Sequence, residues 1–304
     1  MKKWGIAFGA GGIFGFVHIG VLEALEARGL KPGFIAGTSA GAIVGGLWAS
    51  GLKPGTIRNE MQSLVLDEKI QCLPKNYQIP VEDYSLDLAS AMGIQGLLDP
   101  SWIEPIVDRL TSNKMMSDIE TPLSIVSCDL FTGDTVVFTN CLSDSELSPG
   151  TEPDAYPGRK RRYITGAALS TAVMSSSSMP GIFTPRKLGN NQLVDGGVKE
   201  MVPAYEVRRM GAEEVLSVDL GSYIDRPQQA KGIYSVLARS FNLATRGATL
   251  NHLKKHTSMT LRPRVWEVGF PTPSKIKALV ESGRICAEKH MDRWLDLICR
   301  QENR

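Results

Sequence analysis

Two glycine-framed turns, one β-α unit apart, constrain this chain's fold more than any other feature: Gly9-Ala10-Gly11-Gly12-Ile13-Phe14-Gly15 and Gly37-Thr38-Ser39-Ala40-Gly41. Each follows a short apolar run, Trp4 to Phe8 and Phe34-Ile35-Ala36, and each precedes a helical pattern. The first helix carries Val17, Val21, Leu22 and Leu25 on one stripe and meets a stop at Gly29. The second is built from Ala42, Gly45, Gly46 and Ala49, small residues that let another backbone come close. Strands alternating with helices in this way predict an α/β fold, a largely parallel sheet covered on both faces.

Later segments extend the pattern. Leu123 to Ser127 and Thr135 to Phe138 read as strands joined through Thr132-Gly133-Asp134, and residues 142 to 162 as a long exposed loop ending in the basic run Arg159-Lys160-Arg161-Arg162. A small-residue helix over Gly166 to Met174 precedes four serines, 175 to 178. Leu193-Val194 runs into Asp195-Gly196-Gly197, and Val215 to Val218 ends at Asp219. Residues 53 to 118 read as a mainly helical insertion or cap, and everything beyond about Tyr223 as helical, with Ser274 capping a long last helix. The expected organisation is therefore a unit over residues 1–225 with a helical extension over 226–304.

A chain of 304 residues with 42% hydrophobic and 22% charged residues has ample core for such a fold. A net charge of +2 offers no general attraction for nucleic acid, so no nucleic-acid partner is expected. Five cysteines without a C-x-x-C pair fit neither a disulfide framework nor a zinc ribbon and suit a reducing, cytoplasmic compartment. No run reaches the ~18–20 apolar residues of a membrane span, so any membrane contact is expected to be peripheral, at the inner face.

The chemistry begins at Ser39. Gly37 to Gly41 fits G-x-S-x-G, where small neighbours put a serine on a sharp strand-to-helix turn; the same five residues also fit a tight turn whose serine caps a helix. For the first loop the rival is a dinucleotide site, but counting G-x-G-x-x-G from Gly9 and Gly11 puts Phe14 where the third glycine belongs. A structural loop or a set of N–H donors for a developing anion remains. A serine nucleophile needs a base. Of His18, His252, His256 and His290, none follows a strand end, and His18 suits a structural role. Scarcity of histidine turns attention to aspartates after strands: Asp129, Asp195 and Asp219, of which only Asp195 is followed by two glycines. His252 and His256 have i, i+4 spacing without the glutamate of H-E-x-x-H, and no metal is assigned.

With these residues in view, the chain resembles the bacterial patatin-like phospholipases. The resemblance is carried, in order, by the glycine loop running into His18-Ile19-Gly20-Val21-Leu22, by the Gly37 to Gly41 turn, by Asp129-Leu130-Phe131-Thr132-Gly133, by Ser178-Met179-Pro180-Gly181 and by Asp195-Gly196-Gly197. It implies a three-layer α/β/α fold and a serine acyl hydrolase acting through a Ser-Asp dyad. Ser39 would be nucleophile, Asp195 its base, and the N–H groups of Gly11, Gly12 and Ile13 the oxyanion hole. No cofactor is implied. The implied substrates are carboxylic esters of lipid-like molecules, in phospholipase A or lysophospholipase fashion; acyl transfer and non-catalytic lipid binding are the alternatives. The family's loop is usually G-G-G-x-R/K-G, whereas this chain has Ala10 at the first glycine and Phe14 at the basic position. Backbone donors survive both changes. Phe14 exchanges a cation for a ring that can pack or meet an acyl chain.

Overall fold

A computed structural model describes residues 1–66, 96–142, 152–153, 160–225, 233–265 and 275–300. The expected cap at Ser274, the residue Arg159 and parts of the 53–118 insertion and the 142–162 loop lie outside the described residues. The strands are β1 (Trp4–Phe8), β2 (Phe34–Thr38), β3 (Gly96–Leu98), β4 (Leu123–Asp129), β5 (Thr135–Thr139), β6 (Glu152–Pro153), β7 (Lys160–Ile164), β8 (Gly181–Phe183), β9 (Arg186–Leu188), β10 (Asn191–Asp195), β11 (Glu214–Val218) and β12 (Met259–Leu261). The helices are α1 (Phe16–Ala27), α2 (Ala40–Ala49), α3 (Pro54–Leu66), α4 (Ile103–Thr111), α5 (Leu169–Ser177), α6 (Ala204–Arg209), α7 (Ile233–His256) and α8 (Ile276–Cys299).

The main sheet runs β12-β11-β1-β2-β4-β5-β7-β6, with β10 on β4 and β9 on β10. From β12 to β4 all neighbours are parallel, as the alternating sequence requires. Both faces are covered. Along β1, Ile6 and Phe8 join the core shared with α1, α2, α5 and α8, while Ala7 joins a smaller one with Ala204 and Val207 of α6 and Leu253 of α7. Period-two alternation thus divides a wholly buried strand between two helical layers.

Register brings the ends of two distant strands together. β2 pairs parallel with β4, Thr38 lying opposite Val126. β5 occupies the other flank of β4, so β10 can pair only on the flank that β2 has vacated, and it does so antiparallel, with Asp195 opposite Ser127. The C-terminal ends of β2 and β10 therefore meet head to head along β4. Residues more than 150 positions apart in the chain become neighbours in one lane of the sheet.

Four expectations change. The run 160–162 is not loop but part of β7, because buried carboxylates neutralise Arg161. The helix expected to stop at Met174 continues through Ser177, and serines 175 to 178, the last just past its end, are buried because their hydroxyls bond to carbonyls. The stretch beyond Tyr223 is not helical throughout: β12 extends the sheet on β11. Within 53–118, the described residues include, besides α3 and α4, the strand β3, which pairs with β8.

Candidate active site

Ser39 occupies the N-cap position of α2 with φ 56° and ψ −121°, a left-handed conformation rare for a residue with a side chain. Such strain persists only where its surroundings hold it. Gly37 and Gly41 make the turn possible, since a Cβ on Gly37 would strike the Gly41 carbonyl and one on Gly41 the carbonyl of Phe8 in β1. The Ser39 N–H donates to Ser176 Oγ at 2.8 Å, and Ser176 Oγ in turn donates to the Val126 carbonyl at 2.5 Å. The Ser39 carbonyl accepts from the N–H groups of Ala42 and Ile43 at 2.8 and 3.1 Å. Its backbone is thus fixed from both sides, at the positive end of α2.

Asp195 closes β10. Its N–H donates to the Ser178 carbonyl at 2.9 Å, and its Oδ1 accepts from the Gly197 N–H at 2.7 Å. Burial pushes its carboxyl from the ordinary 3.8 up to about 6, against hydrogen bonds from the Ser39 hydroxyl and the Gly197 N–H that pull it down. Ser39 is 4% and Asp195 5% exposed, so the pair is nearly but not wholly removed from water.

The other aspartates are occupied elsewhere. Asp129 accepts from Arg162 Nη2 at 2.7 Å and from Thr132 Oγ1 and the Phe131 and Gln192 N–H groups, which makes it the anchor of the β4–β5 turn. Asp219 accepts from Arg246 Nη1 at 2.9 Å and Arg262 Nε at 3.3 Å. Both carboxylates are thus taken up by ion pairs away from Ser39 in the hydrogen-bond network.

The glycine loop closes over the same edge. Gly12–Gly15 is a 3-10 turn whose first backbone bond, Phe14 N–H to the Gly11 carbonyl at 3.1 Å, leaves the N–H groups of Gly12 and Ile13 ahead of it without an intrahelical acceptor. A Cβ on Gly15 would lie 2.6 Å from Ala40 Cβ, and one on Gly197 3.5 Å from Ala10 Cβ, so the loop touches both the turn of Ser39 and that of Asp195. Phe14 is half-buried and packs on the core.

His18 is buried, and its Nε2 donates to the Gly9 carbonyl at 2.8 Å. Burial lowers its pKa to about 4, so it is neutral and fixes the start of the loop, although Nδ1 has no partner. His252 Nε2 lies 2.9 Å from Glu200 Oε1, and the Glu200 carbonyl accepts from Thr38 Oγ1 at 3.0 Å. His290 Nδ1 lies 2.8 Å from the Cys286 carbonyl. Among the described residues no three potential ligands cluster around a metal site.

Ser176, Thr38 and Ser127 are the residues that sequence reasoning passed over. Ser127 Oγ donates to the Val194 carbonyl at 2.7 Å, securing β10 next to Asp195. The signal for Ser176 lay in the four-serine run, but nothing in the run singles out one member.

Comparison with known proteins agrees with this architecture. The family model described as patatin-like phospholipase matches residues 6–208. An uncharacterized NTE family protein of Mycobacterium tuberculosis is 24% identical over 98% of this chain and 48% of its own, so the chain spans about half the length of that relative. Uncharacterized protein YqhO of Bacillus subtilis is 29% identical over 94% of this chain and 97% of its own. Lysophospholipase NTE1 of Debaryomyces hansenii is 26% identical over 73% of this chain but 12% of its own. Among solved structures, human GIVD cytosolic phospholipase A2 in complex with methyl gamma-linolenyl fluorophosphonate inhibitor and terbium chloride aligns with a TM-score of 0.51 and 12% identity, covering 98% of this chain and 59% of that one, which is a likeness of fold.

Proposed function

Because the chain belongs to the patatin-like phospholipase family, we propose that it hydrolyses carboxylic esters of lipid-like substrates, in phospholipase A or lysophospholipase fashion, with Ser39 as nucleophile and Asp195 as base. The reading rests above all on one observation: a strained serine at a helix N-terminus shares a hydrogen bond with a buried carboxyl that also accepts from the Gly197 N–H.

Ser39 Oγ attacks the ester carbonyl carbon while its proton passes to Asp195. Charge developing on the carbonyl oxygen is received by the N–H groups of Gly11, Gly12 and Ile13, and removal of one such donor typically costs about 10²–10³ in kcat. Collapse expels the alcohol, which takes the proton from Asp195, and leaves an acyl-enzyme on Ser39. Asp195 then accepts a proton from water as the hydroxide adds to the acyl carbon. Departure of the fatty acid returns the proton to Ser39. A base with its pKa at about 6 is ionised at neutral pH yet closer to the operating pH than an ordinary aspartate, which favours proton transfer.

Fluorophosphonate labelling tests the reading. Labelling of the native protein, its loss in Ser39→Ala, and a fall of about 10²–10⁴ in the labelling rate of Asp195→Asn are expected. Absence of labelling in folded native protein would overturn it.

A further inference from the structure

Helix α7 is amphipathic in the inverse sense. Arg246 and Thr249 face inward with Leu253, while Val236, Leu243 and Leu250, at heptad spacing, lie 49%, 52% and 38% exposed beside exposed Ala244 and Ala248. Arg246 is turned inward by ion pairs with Asp219 at the end of β11 and with Asp225. Polar anchoring on one side thus presents an apolar side to the outside. A second exposed apolar feature sits on the turn between β4 and β5: Leu130 is 53% and Phe131 81% exposed, although Asp129 beneath them is fixed by four partners.

The two features share one edge of the sheet. α7 runs antiparallel to β11, since Arg246 meets the end of that strand and the Ser258 N–H meets the Val215 carbonyl near its start. The turns of α7 before Arg246, which carry Leu243 and Phe241, therefore project past the edge where the parallel strands end. Leu130 and Phe131 follow the last residue of β4 on that same edge. Ser39 lies between them, because the order β11-β1-β2-β4 puts β2 inside the two flanks. Register adds charge. Lys187 of β9 lies opposite Gln192, whose carbonyl accepts the Leu130 N–H, and the Lys160 N–H donates to Asp134 in the same turn; both lysines are exposed.

We propose that this edge seats on an anionic lipid surface, with Leu130, Phe131, Phe241 and Leu243 entering the acyl boundary while Lys160 and Lys187 meet the head groups. Separate convex apolar points, with flanking cations, suit a deformable medium of negative charge better than a rigid partner, which would need a matching cavity for each. Docking itself does not rest on the hydrolase reading; its use, bringing a membrane ester to Ser39, does.

The test is sedimentation of Ser39→Ala, which removes turnover, with phosphatidylcholine vesicles containing or lacking phosphatidylglycerol. Binding to the anionic vesicles is expected, about fivefold weaker for each of Lys160→Gln and Lys187→Gln, and about tenfold or more weaker for Phe131→Ser and for Phe241→Ser at unchanged thermal midpoint. The lysine variants keep the test decisive should an aromatic substitution disturb folding. Failure to sediment with anionic vesicles, or equal binding by the variants, overturns the proposal. So does a native dimer that Phe241→Ser and Leu243→Ser dissociate while lipid is ignored, which makes the face a contact between copies. Fluorophosphonate labelling without vesicles separates the two readings: vesicle binding with an inert Ser39 leaves docking standing and removes hydrolysis, and labelling without vesicle binding does the reverse.

Discussion

Asp195 has two pH consequences of opposite character. On the proposed chemistry it must be ionised to take the Ser39 proton, so with its pKa at about 6 the rate is expected to fall through an acid limb near pH 6, about tenfold down by pH 5. An ordinary aspartate would hold the rate to pH 4. His18, neutral down to about 4, does not titrate in this window, and a pH profile of kcat/KM on a soluble ester checks the limb. For stability the sign reverses. The folded chain holds the Asp195 proton more tightly than the unfolded chain, whose value is 3.8, so folding is weakened as pH rises from about 4 to 6 by on the order of 3 kcal/mol. Asp195→Asn is accordingly expected to raise the thermal midpoint at pH 7 while losing labelling, which calorimetry on the two proteins checks. Ser39 and Asp195 were legible in the sequence because each has small neighbours required by its own backbone. Ser176 was not: it works through a bond to Ser39 that only tertiary packing creates, and its serine neighbours are chemically identical to it.

At the scale of elements, β7 is where sequence and structure part. Its Lys160-Arg161-Arg162 reads as a solvated charge run, yet Arg161 is buried with Nη2 3.0 Å from Glu200 Oε2 and Nη1 2.6 Å from Glu206 Oε1. Burial alone would push Glu200 up, but the Arg161 guanidinium and His252 hold it down to about 2. The balancing carboxylates lie some forty residues downstream, beyond the reach of any local pattern. Arg161→Met would leave both acids without that cation and is expected to cost about 3–5 kcal/mol, read from the denaturant midpoint at unchanged slope. Since the Glu200 carbonyl also accepts the Thr38 hydroxyl, the loss should reach the turn of Ser39 and slow labelling. The parallel strands β1, β2 and β11, by contrast, were readable from their short apolar runs and closing turns, because burial on both faces leaves such strands few other compositions.

For the molecule as a whole, the last helix is part of the same body as the first strand. α8 crosses α1 backbone to backbone, since a Cβ on Gly20 would strike the Val280 carbonyl and one on Gly283 the Val17 carbonyl. Trp294 meets Trp4 edge to face at 5.4 Å, and the Lys2 N–H donates to the Ile298 carbonyl at 2.8 Å. Gly283→Val is therefore expected to destabilise the whole chain by about 3 kcal/mol in one cooperative transition, which a single unfolding curve followed at tryptophan checks. The helical character of α8 was evident from sequence, but its partner was not, because a glycine that admits a neighbouring helix looks the same as one that merely tolerates solvent. The head-to-head meeting of β2 and β10 carries a last consequence, for the order of synthesis. Ser39 leaves the ribosome far ahead of Asp195, and the two can meet only after β4 and then β10 have been laid down beside β2. On the proposed chemistry, a nascent chain or an N-terminal fragment carries Ser39 without the means to ionise it. Competence to cleave a lipid would then arrive only once β10 is in place, so that a reactive-serine probe doubles as a reporter of that step in folding.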